Sequence, residues 1–296
     1  MAGFSSRLKE IRKDKHLRQK DLADALGLAQ TTIANYEQGT RFPDEPTLSR
    51  VADFFGVSLD FLMGRSVRRS AKTGGEELPR EPVRLGTSAG KYLESLIQGN
   101  QDAARIVVLD SLRKNVPIQE IYRTIFEAAL HEVGRLWATG RIDVFQEHFI
   151  STMTETFMAM LSERFPSPSL HRTAIGIASG GEMHQIGARM VLDFLGLAGW
   201  HTRFLGTNLP TPSLMNALAD SPIDLVAISV TMDYNRNQAA DLIQAIRETP
   251  AVRHTRILIG GRALNQEPDL WIRLKADGYA RDATEAVKIA STLFAH

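Results

Sequence analysis

The spacing of apolar residues divides the chain into three blocks. Residues 1–65 hold short amphipathic stretches separated by turn residues, which predicts four or five helices. Residues 88–166 carry apolar residues at helical spacing, and this pattern predicts a small helical bundle. One stripe of the bundle consists of Ile121, Ile125, Ala128, Ala129, Val133 and Leu136.

Beyond residue 170, short apolar runs alternate with amphipathic segments. The runs span residues 173–179, 201–207, 224–231 and 256–261. Such alternation is typical of a doubly wound parallel sheet with helices on both faces, as in flavodoxin-like Rossmann folds. We therefore predict a multidomain chain with two all-α domains followed by an α/β domain.

The segment between the first two blocks, residues 66–87, lacks apolar periodicity. It is rich in Arg, Glu, Gly and Pro, a composition typical of a flexible linker. The predicted domains are therefore residues 1–65, 88–166 and 170–296.

Composition narrows the classes of function. The chain has 296 residues, 43% of them hydrophobic, with a formal net charge of +1 and no Cys. The absence of Cys excludes disulfides, thiolate metal sites and cysteine nucleophiles, and it fits a reducing compartment. No apolar stretch reaches the length needed to cross a membrane, so we expect a cytoplasmic protein without a membrane partner. The near-zero charge disfavours non-specific binding to polyanions, although a local DNA-binding face remains compatible with it.

The first block has the order of a helix-turn-helix. The pattern predicts a helix from Gln19, a turn at Gly27 and a second helix from Gln30, with the small residue Ala23 and the apolar residue Ile33 where the two helices would pack. The block resembles the Cro and phage-repressor class of DNA-binding domain. The alternative is a helical protein-interaction domain.

This resemblance assigns roles to individual residues. It implies that the second helix of the motif reads base edges in the major groove of a double-stranded operator, and that neighbouring residues hold phosphates. It also implies that Arg12 and Glu37 pair inside the domain. The predicted base-reading residues are Gln30, Thr31, Thr32 and Asn35, and the predicted phosphate-binding residues are Gln19 and Arg41.

The turn after the first predicted strand contains His184. In an open parallel sheet, ligands bind outside the carboxyl ends of the strands, which is where this turn would lie. Glu182, His184 and Gly187 have the spacing of the Asp-x-His-x-x-Gly signature of cobalamin-binding domains, with Glu in place of Asp, and the segment resembles that family. A solvent-facing loop histidine and a helix-capping histidine are the two alternatives.

In that family the histidine coordinates cobalt from below the corrin. The resemblance implies that Glu182 hydrogen-bonds the far ring nitrogen of His184, fixing its tautomer, and that Gly187 lets the backbone pass close to the corrin. Further family elements follow the third and fourth predicted strands, where they would accommodate the displaced nucleotide tail. These elements correspond to Ser229, Thr231, Gly260 and Gly261.

The middle block carries a second group of candidate residues. Trp137 is followed, after nine residues, by Glu147 and His148. This pattern resembles the four-helix cap over the upper corrin face of methionine-synthase-like and light-sensing cobalamin proteins. An indole offers a flat apolar wall, and the Glu–His pair can hydrogen-bond an adenosyl group. The alternative is a core tryptophan beside an ordinary polar helix face.

Two features depart from the light-sensing family. The residue after Trp137 is Ala138, where the best-known members have a histidine that binds cobalt after illumination. A bis-histidine product through this position is therefore excluded, which leaves His131, His148 or a water-derived ligand. The amino-terminal domain is also of the Cro type, whereas the family's usual module is of the MerR type.

Together these resemblances predict a non-enzymatic transcription regulator that binds adenosylcobalamin, with methylcobalamin and hydroxocobalamin as alternative forms. Light would remove the upper ligand, changing a homo-oligomer, dimer or tetramer, and its operator binding. The alternatives are a light-independent cobalamin sensor, a related domain that binds haem or a bilin, and a corrinoid methyl carrier or cobalamin-dependent enzyme.

Overall fold

The computed structural model forms two compact units, Met1–Val83 and Arg84–His296. It describes residues 4–15, 17–55, 57, 59–63, 85–178, 184–207, 209–231, 235–265, 267 and 269–295. The predicted linker at residues 66–87 lies outside the described residues except for 85–87, where Thr87 begins a helix.

The described residues of the amino-terminal unit form five helices, within the predicted four or five. They are α1 (Phe4–Asp14), α2 (Gln19–Leu26), α3 (Gln30–Gln38), α4 (Glu45–Phe55) and α5 (Leu59–Leu62). Gly27 ends α2 with φ 64°, a left-handed conformation that glycine adopts without steric cost, and the turn then leads into α3. The predicted helix-turn-helix, with helices starting at Gln19 and Gln30, is confirmed. Its core includes Leu8, Leu22, Ile33, Val51 and Leu62.

A buried ion pair joins α1 to α3. Arg12 donates from Nη2 to Glu37 Oε2 at 2.9 Å, and Gln19 donates from Nε2 to the same oxygen at 2.9 Å. Burial raises the pKa of Glu37, but the hydrogen bonds from Arg12 and Gln19 outweigh it, so the net pKa is lowered and the carboxylate stays charged. The predicted Arg12–Glu37 pair is confirmed.

The carboxyl-terminal unit begins with a helical part. Its elements are α6 (Thr87–Ile97), α7 (Gln101–Arg113), α8 (Ile118–Ile121), a π-helical segment (Tyr122–Glu127), α9 (Ala128–Ala138) and α10 (Val144–Ser162). The predicted apolar stripe lies in this core apart from Ala128, which is half-buried. The π-helical segment, whose hydrogen bonds span one residue more than in an α-helix, has no counterpart in the sequence prediction.

The α/β part of the same unit contains five parallel strands. They are β1 (Thr173–Ala178), β2 (His201–Phe204), β3 (Leu225–Ser229), β4 (Arg256–Gly260) and β5 (Gly278–Ala280), in the spatial order β2-β1-β3-β4-β5. The parallel sheet and its first four strands are confirmed. The three-residue edge strand β5 is too short to produce a periodic pattern and was not predicted.

Helices cover both faces of the sheet. They are α11 (Ile186–Leu197), α12 (Thr211–Asp220), α13 (Arg236–Glu248), α14 (Arg262–Asn265), α15 (Leu270–Arg273) and α16 (Ala283–Leu293). On one face of the sheet, isoleucine and valine side chains of the strands pack against α12 and α13. The opposite face has small residues such as Ala174, Ala227 and Ala280 beside Leu225 and Leu258, and it receives α11 and α16. On that face a Cβ at Gly176 would lie 2.1 Å from Leu192 Cδ2, so glycine lets α11 pack closely on β1.

The helical part packs directly on α11. Met190 and Phe194 of α11 join the helical core, and the Tyr122 hydroxyl donates to Asp193 Oδ2 at 2.7 Å. Burial raises the pKa of Asp193, against the opposing hydrogen bonds from Tyr122 and Arg189. The helical part and the sheet therefore share one buried interface. Within the part of the chain that the structure describes, no helix combines the length and apolar character needed to span a membrane.

Candidate functional site

The candidate site lies at the carboxyl edge of the sheet. The order β2-β1-β3-β4-β5 reverses direction between β1 and β3, and ligands of such sheets bind in the crevice outside this switch point. His184 is exposed in the segment that leads from β1 into α11. Ser229 ends β3 and pairs in register with Ala178, the last residue of β1. His184 therefore follows one of the two strands that flank the crevice, and Ser229 is the last residue of the other.

Two other predicted residues lie beside this pair. Gly187 is exposed in the first turn of α11, and a Cβ built on it would lie 4.0 Å from Ser229 Oγ. Thr231 follows β3 and is half-buried. The start of α11 and the end of β3 are therefore adjacent. Glu182 lies outside the described residues, so its predicted bond to His184 stays a prediction.

The two predicted glycines after β4 have a packing role. A Cβ at Gly260 would lie 2.5 Å from the carbonyl oxygen of Ala280. A Cβ at Gly261, whose φ is +105°, would lie 2.4 Å from the carbonyl oxygen of Val230. Close approach between neighbouring backbones is by itself sufficient to require glycine at both positions.

Helix α10 connects the helical part to the segment that carries His184. Gln185, the residue after His184, donates from Nε2 to Glu155 Oε1 at 3.0 Å. Farther along α10, Tyr122 lies within 3.4 Å of the Met158 carbonyl while bonding Asp193 of α11.

Contacts between α10 and α11 advance in the same order along both helices. Gln185 precedes α11 and meets Glu155, whereas the Phe165 ring, after α10, lies 3.4 Å from a Cβ built on Gly196. The two helices therefore run side by side in the same direction. Because Glu155 contacts Gln185, the preceding stretch of α10, from Val144 to Glu155, extends past the start of α11. At 1.5 Å per residue this stretch is about 16 Å long.

The extended end of α10 carries the second predicted group. His148 Nδ1 lies 2.6 Å from Glu147 Oε2, and the Ser151 hydroxyl donates to Glu147 Oε1 at 2.8 Å. A capping box formed by Asp143 and Gln146 fixes the start of this helix.

Trp137, near the end of α9, is 42% exposed, which excludes the alternative that it is a core residue. Phe145 in the first turn of α10 is 76% exposed. Two exposed aromatic side chains therefore lie at the junction between α9 and α10, and Phe145 precedes His148 by about one helical turn. The side chain of Ala138 lies outside what the structure describes.

The predicted DNA-reading positions all lie on α3, and three of the four are exposed. Gln30, Thr31 and Asn35 are exposed, and Thr32 is half-buried. Arg41 is exposed in the turn after α3. Gln19 is half-buried and uses one amide hydrogen to bond Glu37, so a phosphate contact through this residue would have to use the second amide hydrogen.

Matches to family models identify a helix-turn-helix unit joined in one chain to a B12-binding unit. Residues 8–62 match the family described as Helix-turn-helix. Residues 89–162 and 172–288 match two families, both described as B12 binding domain. The match over residues 89–162 covers the helical part of the carboxyl-terminal unit, and the match over residues 172–288 covers the parallel sheet.

The chain belongs to the HTH-type transcriptional regulators and is a B12-binding helix-turn-helix protein. It is 31% identical over 113 residues to the uncharacterized HTH-type transcriptional regulator YqaE of Bacillus subtilis, covering 38% of this chain and 94% of that protein. It is 24% identical over 189 residues to dimethylamine corrinoid protein 3 of Methanosarcina acetivorans, covering 62% of this chain and 87% of that protein. The Methanosarcina barkeri monomethylamine corrinoid protein has a similar fold, with a TM-score of 0.61 and 21% identity, over 69% of this chain and 97% of that structure.

Several features of the site were not predicted from the sequence. Gln185 lies within the histidine motif, yet nothing in the motif indicates that it bonds Glu155. Tyr122 and Asp193 were also missed, because they are 71 residues apart and each lies on an otherwise apolar helix face. The one available signal was the seven-residue interval between His148 and Glu155, which is typical of a shared helix face.

Proposed function

We propose that this chain is an adenosylcobalamin-dependent, light-responsive transcription regulator whose corrinoid binds at the carboxyl edge of the sheet. His184 would bind the cobalt, and the extended end of α10 together with Trp137 would cover the opposite side of the corrinoid. One observation carries this proposal. A single helix is bonded through Glu155 to the residue after His184, and two turns earlier it presents His148 on nearly the same face.

The residues at the site fit a corrinoid. A single imidazole, that of His184, would suit a metal whose other ligands belong mostly to its own macrocycle. The rise from Glu155 to His148 is about 10 Å, which leaves room for a flat ring with an axial group on each side. The exposed indole of Trp137 suits a planar apolar partner.

On the side of His184, Glu182 would accept a hydrogen bond from the imidazole ring and fix its tautomer. Gly187 allows close approach of the macrocycle to the first turn of α11. Ser229 and Thr231 line the path of the displaced nucleotide tail, together with Gly260 and Gly261, which also keep β4 close to its neighbouring backbones.

On the upper side, Trp137 forms an apolar wall while Glu147 and His148 hydrogen-bond the adenosyl group. The 2.6 Å contact between Glu147 and His148 orients the imidazole before the ligand binds. Bound adenosylcobalamin supplies a cobalt–carbon bond that light can break. Loss of the adenosyl group would remove the partner of these three side chains and free the α9–α10 junction to rearrange.

The output of the regulator is a change in valency. A single helix-turn-helix unit makes few base contacts, so two or four linked copies on adjacent half-sites raise avidity by roughly 100- to 10,000-fold. A rearrangement that alters the homo-oligomer would therefore control operator binding without changing α3. Gln30, Thr31, Thr32 and Asn35 read bases, and Gln19 and Arg41 hold phosphates. The protein has a regulatory role without catalytic turnover.

The test is the visible absorption spectrum of the full chain reconstituted with adenosylcobalamin in the dark, before and after green light. We expect a protein-bound, histidine-ligated spectrum that changes on illumination, and loss of the histidine-ligated features in His184→Ala. His254→Ala is the matched control, because His254 is an exposed histidine in the turn before β4, at the opposite edge of the sheet from the candidate site. Identical spectra for wild type and His184→Ala would overturn the proposal.

Ala138 favours a second candidate, a cobalamin sensor that does not respond to light. A side chain without an imidazole gives cobalt no second protein ligand at that position after the upper group is lost. This candidate predicts the same dark spectrum, and the same loss of the histidine-ligated features in His184→Ala. It also predicts that illumination leaves operator binding unchanged. Measuring operator affinity before and after green light separates the two candidates.

A further inference from the structure

The contact between Gln185 and Glu155 joins two parts of the site that are distant in sequence. Gln185 follows the predicted cobalt ligand and also forms the amino-terminal boundary of α11. Its side chain is half-buried and donates to Glu155, while its carbonyl Oε1 lies 3.8 Å from a Cβ built on Gly206, the glycine after β2. Any shift of the His184 segment therefore acts directly on α10.

Helix α10 connects this contact to Glu147 and His148, the pair proposed to face the upper side of the corrinoid. Glu155 and His148 are seven residues apart and lie within about 20° of each other around the helix axis. The Ser151 hydroxyl, on the turn between them, bonds Glu147. Glu155, which bonds Gln185, and His148, which bonds Glu147, therefore lie along one continuous face of α10.

A buried anchor lies just beyond Glu155. The Met158 carbonyl meets the hydroxyl of Tyr122, which in turn bonds Asp193 of α11 in the interior of the unit. Along the axis, Glu155 is about 4.5 Å from this anchor and His148 about 15 Å. A rigid tilt of α10 about Met158 would therefore move His148 roughly three times as far as Glu155.

We propose that Gln185 and Glu155 are positioning residues, which transmit a displacement of the His184 segment to Glu147 and His148 through a tilt of α10. The identity of the ligand that displaces the segment rests on the proposed function. The mechanical link between the segment and α10 does not.

The first test uses the full chain without cofactor. In Gln185→Glu two carboxylates face each other, so the contact is lost and replaced by repulsion. In the double variant Gln185→Glu with Glu155→Gln, the amide introduced at 155 can donate to the carboxylate introduced at 185, which restores a charge-assisted bond of reversed polarity. Gln244→Glu is the matched control, because Gln244 donates to Glu248 at 2.7 Å on the exposed face of α13.

The measurement is hydrogen exchange of backbone amides in residues 144–155. We expect about tenfold faster exchange in Gln185→Glu, since a hydrogen bond to a charged group is lost, and rates near wild type in the double variant and the control. Unchanged exchange in Gln185→Glu would overturn the link. If exchange remained fast in the double variant, the effect would be general destabilisation and the proposal would also fail.

The second test adds adenosylcobalamin in the dark and follows the absorption spectrum beside the exchange. We expect wild type to bind the cofactor and slow exchange at residues 144–151. Gln185→Glu should keep the histidine-ligated spectrum, but the cofactor should slow amide exchange about tenfold less than in wild type. In the double variant the cofactor should slow exchange as much as in wild type. Equal slowing in wild type and Gln185→Glu would overturn transmission through this contact.

The two proposals fail in different ways. Absence of cobalamin binding in wild type would overturn the proposed function and, with it, the transmission of ligation to α10. The cofactor-free exchange rates would still decide whether Gln185 holds α10. Normal binding with equal slowing would overturn the positioning role alone.

Discussion

The hydroxyl of Tyr122 donates a 2.7 Å hydrogen bond to Asp193 Oδ2, and both residues are buried. Tyr122 is the first residue of the π-helical segment, and Asp193 lies two turns into α11. This polar contact lies among apolar side chains that include Met190 and Phe194, so it helps to specify how the helical part docks on the sheet. It is also the anchor about which α10 would tilt.

Replacing Tyr122 with Phe should destabilise the carboxyl-terminal unit. The variant leaves a buried carboxyl without its hydroxyl donor, and we expect a loss of about 1–3 kcal/mol in the free energy of unfolding. Urea denaturation followed by circular dichroism measures this loss. Tyr279→Phe is the control, because the Tyr279 hydroxyl bonds the exposed Asn265 at 2.8 Å. An equal loss in both variants would contradict the assignment.

The stability contribution of Asp193 should depend on pH. Burial raises the pKa of its carboxyl in the folded state above the ordinary value of 3.8. Its stabilising contribution is therefore complete below the unfolded-state pKa and is lost as the pH rises through the folded-state pKa. We expect wild type to gain stability relative to Asp193→Asn as the pH falls from about 7 towards 4. Paired urea titrations would reveal this trend, and a constant difference across the range would contradict it.

Breaking the buried pair in the amino-terminal unit should loosen the helix-turn-helix. Glu37→Gln leaves the Arg12 guanidinium buried without its counter-charge, at a cost of about 3 kcal/mol. Hydrogen exchange of α1 and α3 in the full chain would report the change. Glu10→Gln removes the more exposed Arg7–Glu10 pair and should have a much smaller effect. Similar exchange in the two variants would argue against a structural role for the buried pair.

DNA binding should separate base-reading residues from phosphate-binding residues. We expect Gln30→Ala to cost about 1–3 kcal/mol and to relax specificity at one base position. Arg41→Ala should weaken binding to all sequences and reduce the slope of log affinity against log salt by about one. Fluorescence anisotropy with an operator selected from random DNA, at several salt concentrations, would distinguish the two effects. An unchanged salt slope in Arg41→Ala would exclude a phosphate contact.

Trp137 should discriminate between forms of the cofactor. If the indole covers the adenosyl group, Trp137→Ala should lower the affinity for adenosylcobalamin by about tenfold and leave that for hydroxocobalamin nearly unchanged. Spectroscopic titration in the dark gives both affinities. Ile106→Ala is the control, because Ile106 is an exposed apolar residue on α7 of the same helical part. Equal losses for the two forms would show that the indole does not contact the upper ligand.

Local signals explain which parts of the fold could be predicted. Gly27 and Gly39 end helices in the left-handed conformation, and each marks its boundary within a single residue. Strands β1 and β3 are continuous apolar runs because both of their faces are covered. Both signals depend only on neighbouring residues.

Long-range polar contacts explain what could not be predicted. Gln185 and Glu155 are 30 residues apart, and their side chains would be equally at home in water. The π-helical segment leaves the apolar stripe through Ile121 and Ile125 intact, so periodicity does not reveal it. For the candidate site, the histidine motif predicts a location after β1, whereas the contact between Gln185 and α10 became visible only through the packing of α10 on α11.

The unbroken course of α10 from Val144 to Ser162 makes it a spacer of fixed length. The number of residues between His148 and Glu155 sets the distance between these two side chains along the helix axis, because each residue adds about 1.5 Å. Inserting seven residues in this interval would roughly double this distance and keep both side chains facing the same way. Inserting two would turn them to opposite sides of the helix, so related chains with bulkier ligands should differ here by nearly whole turns.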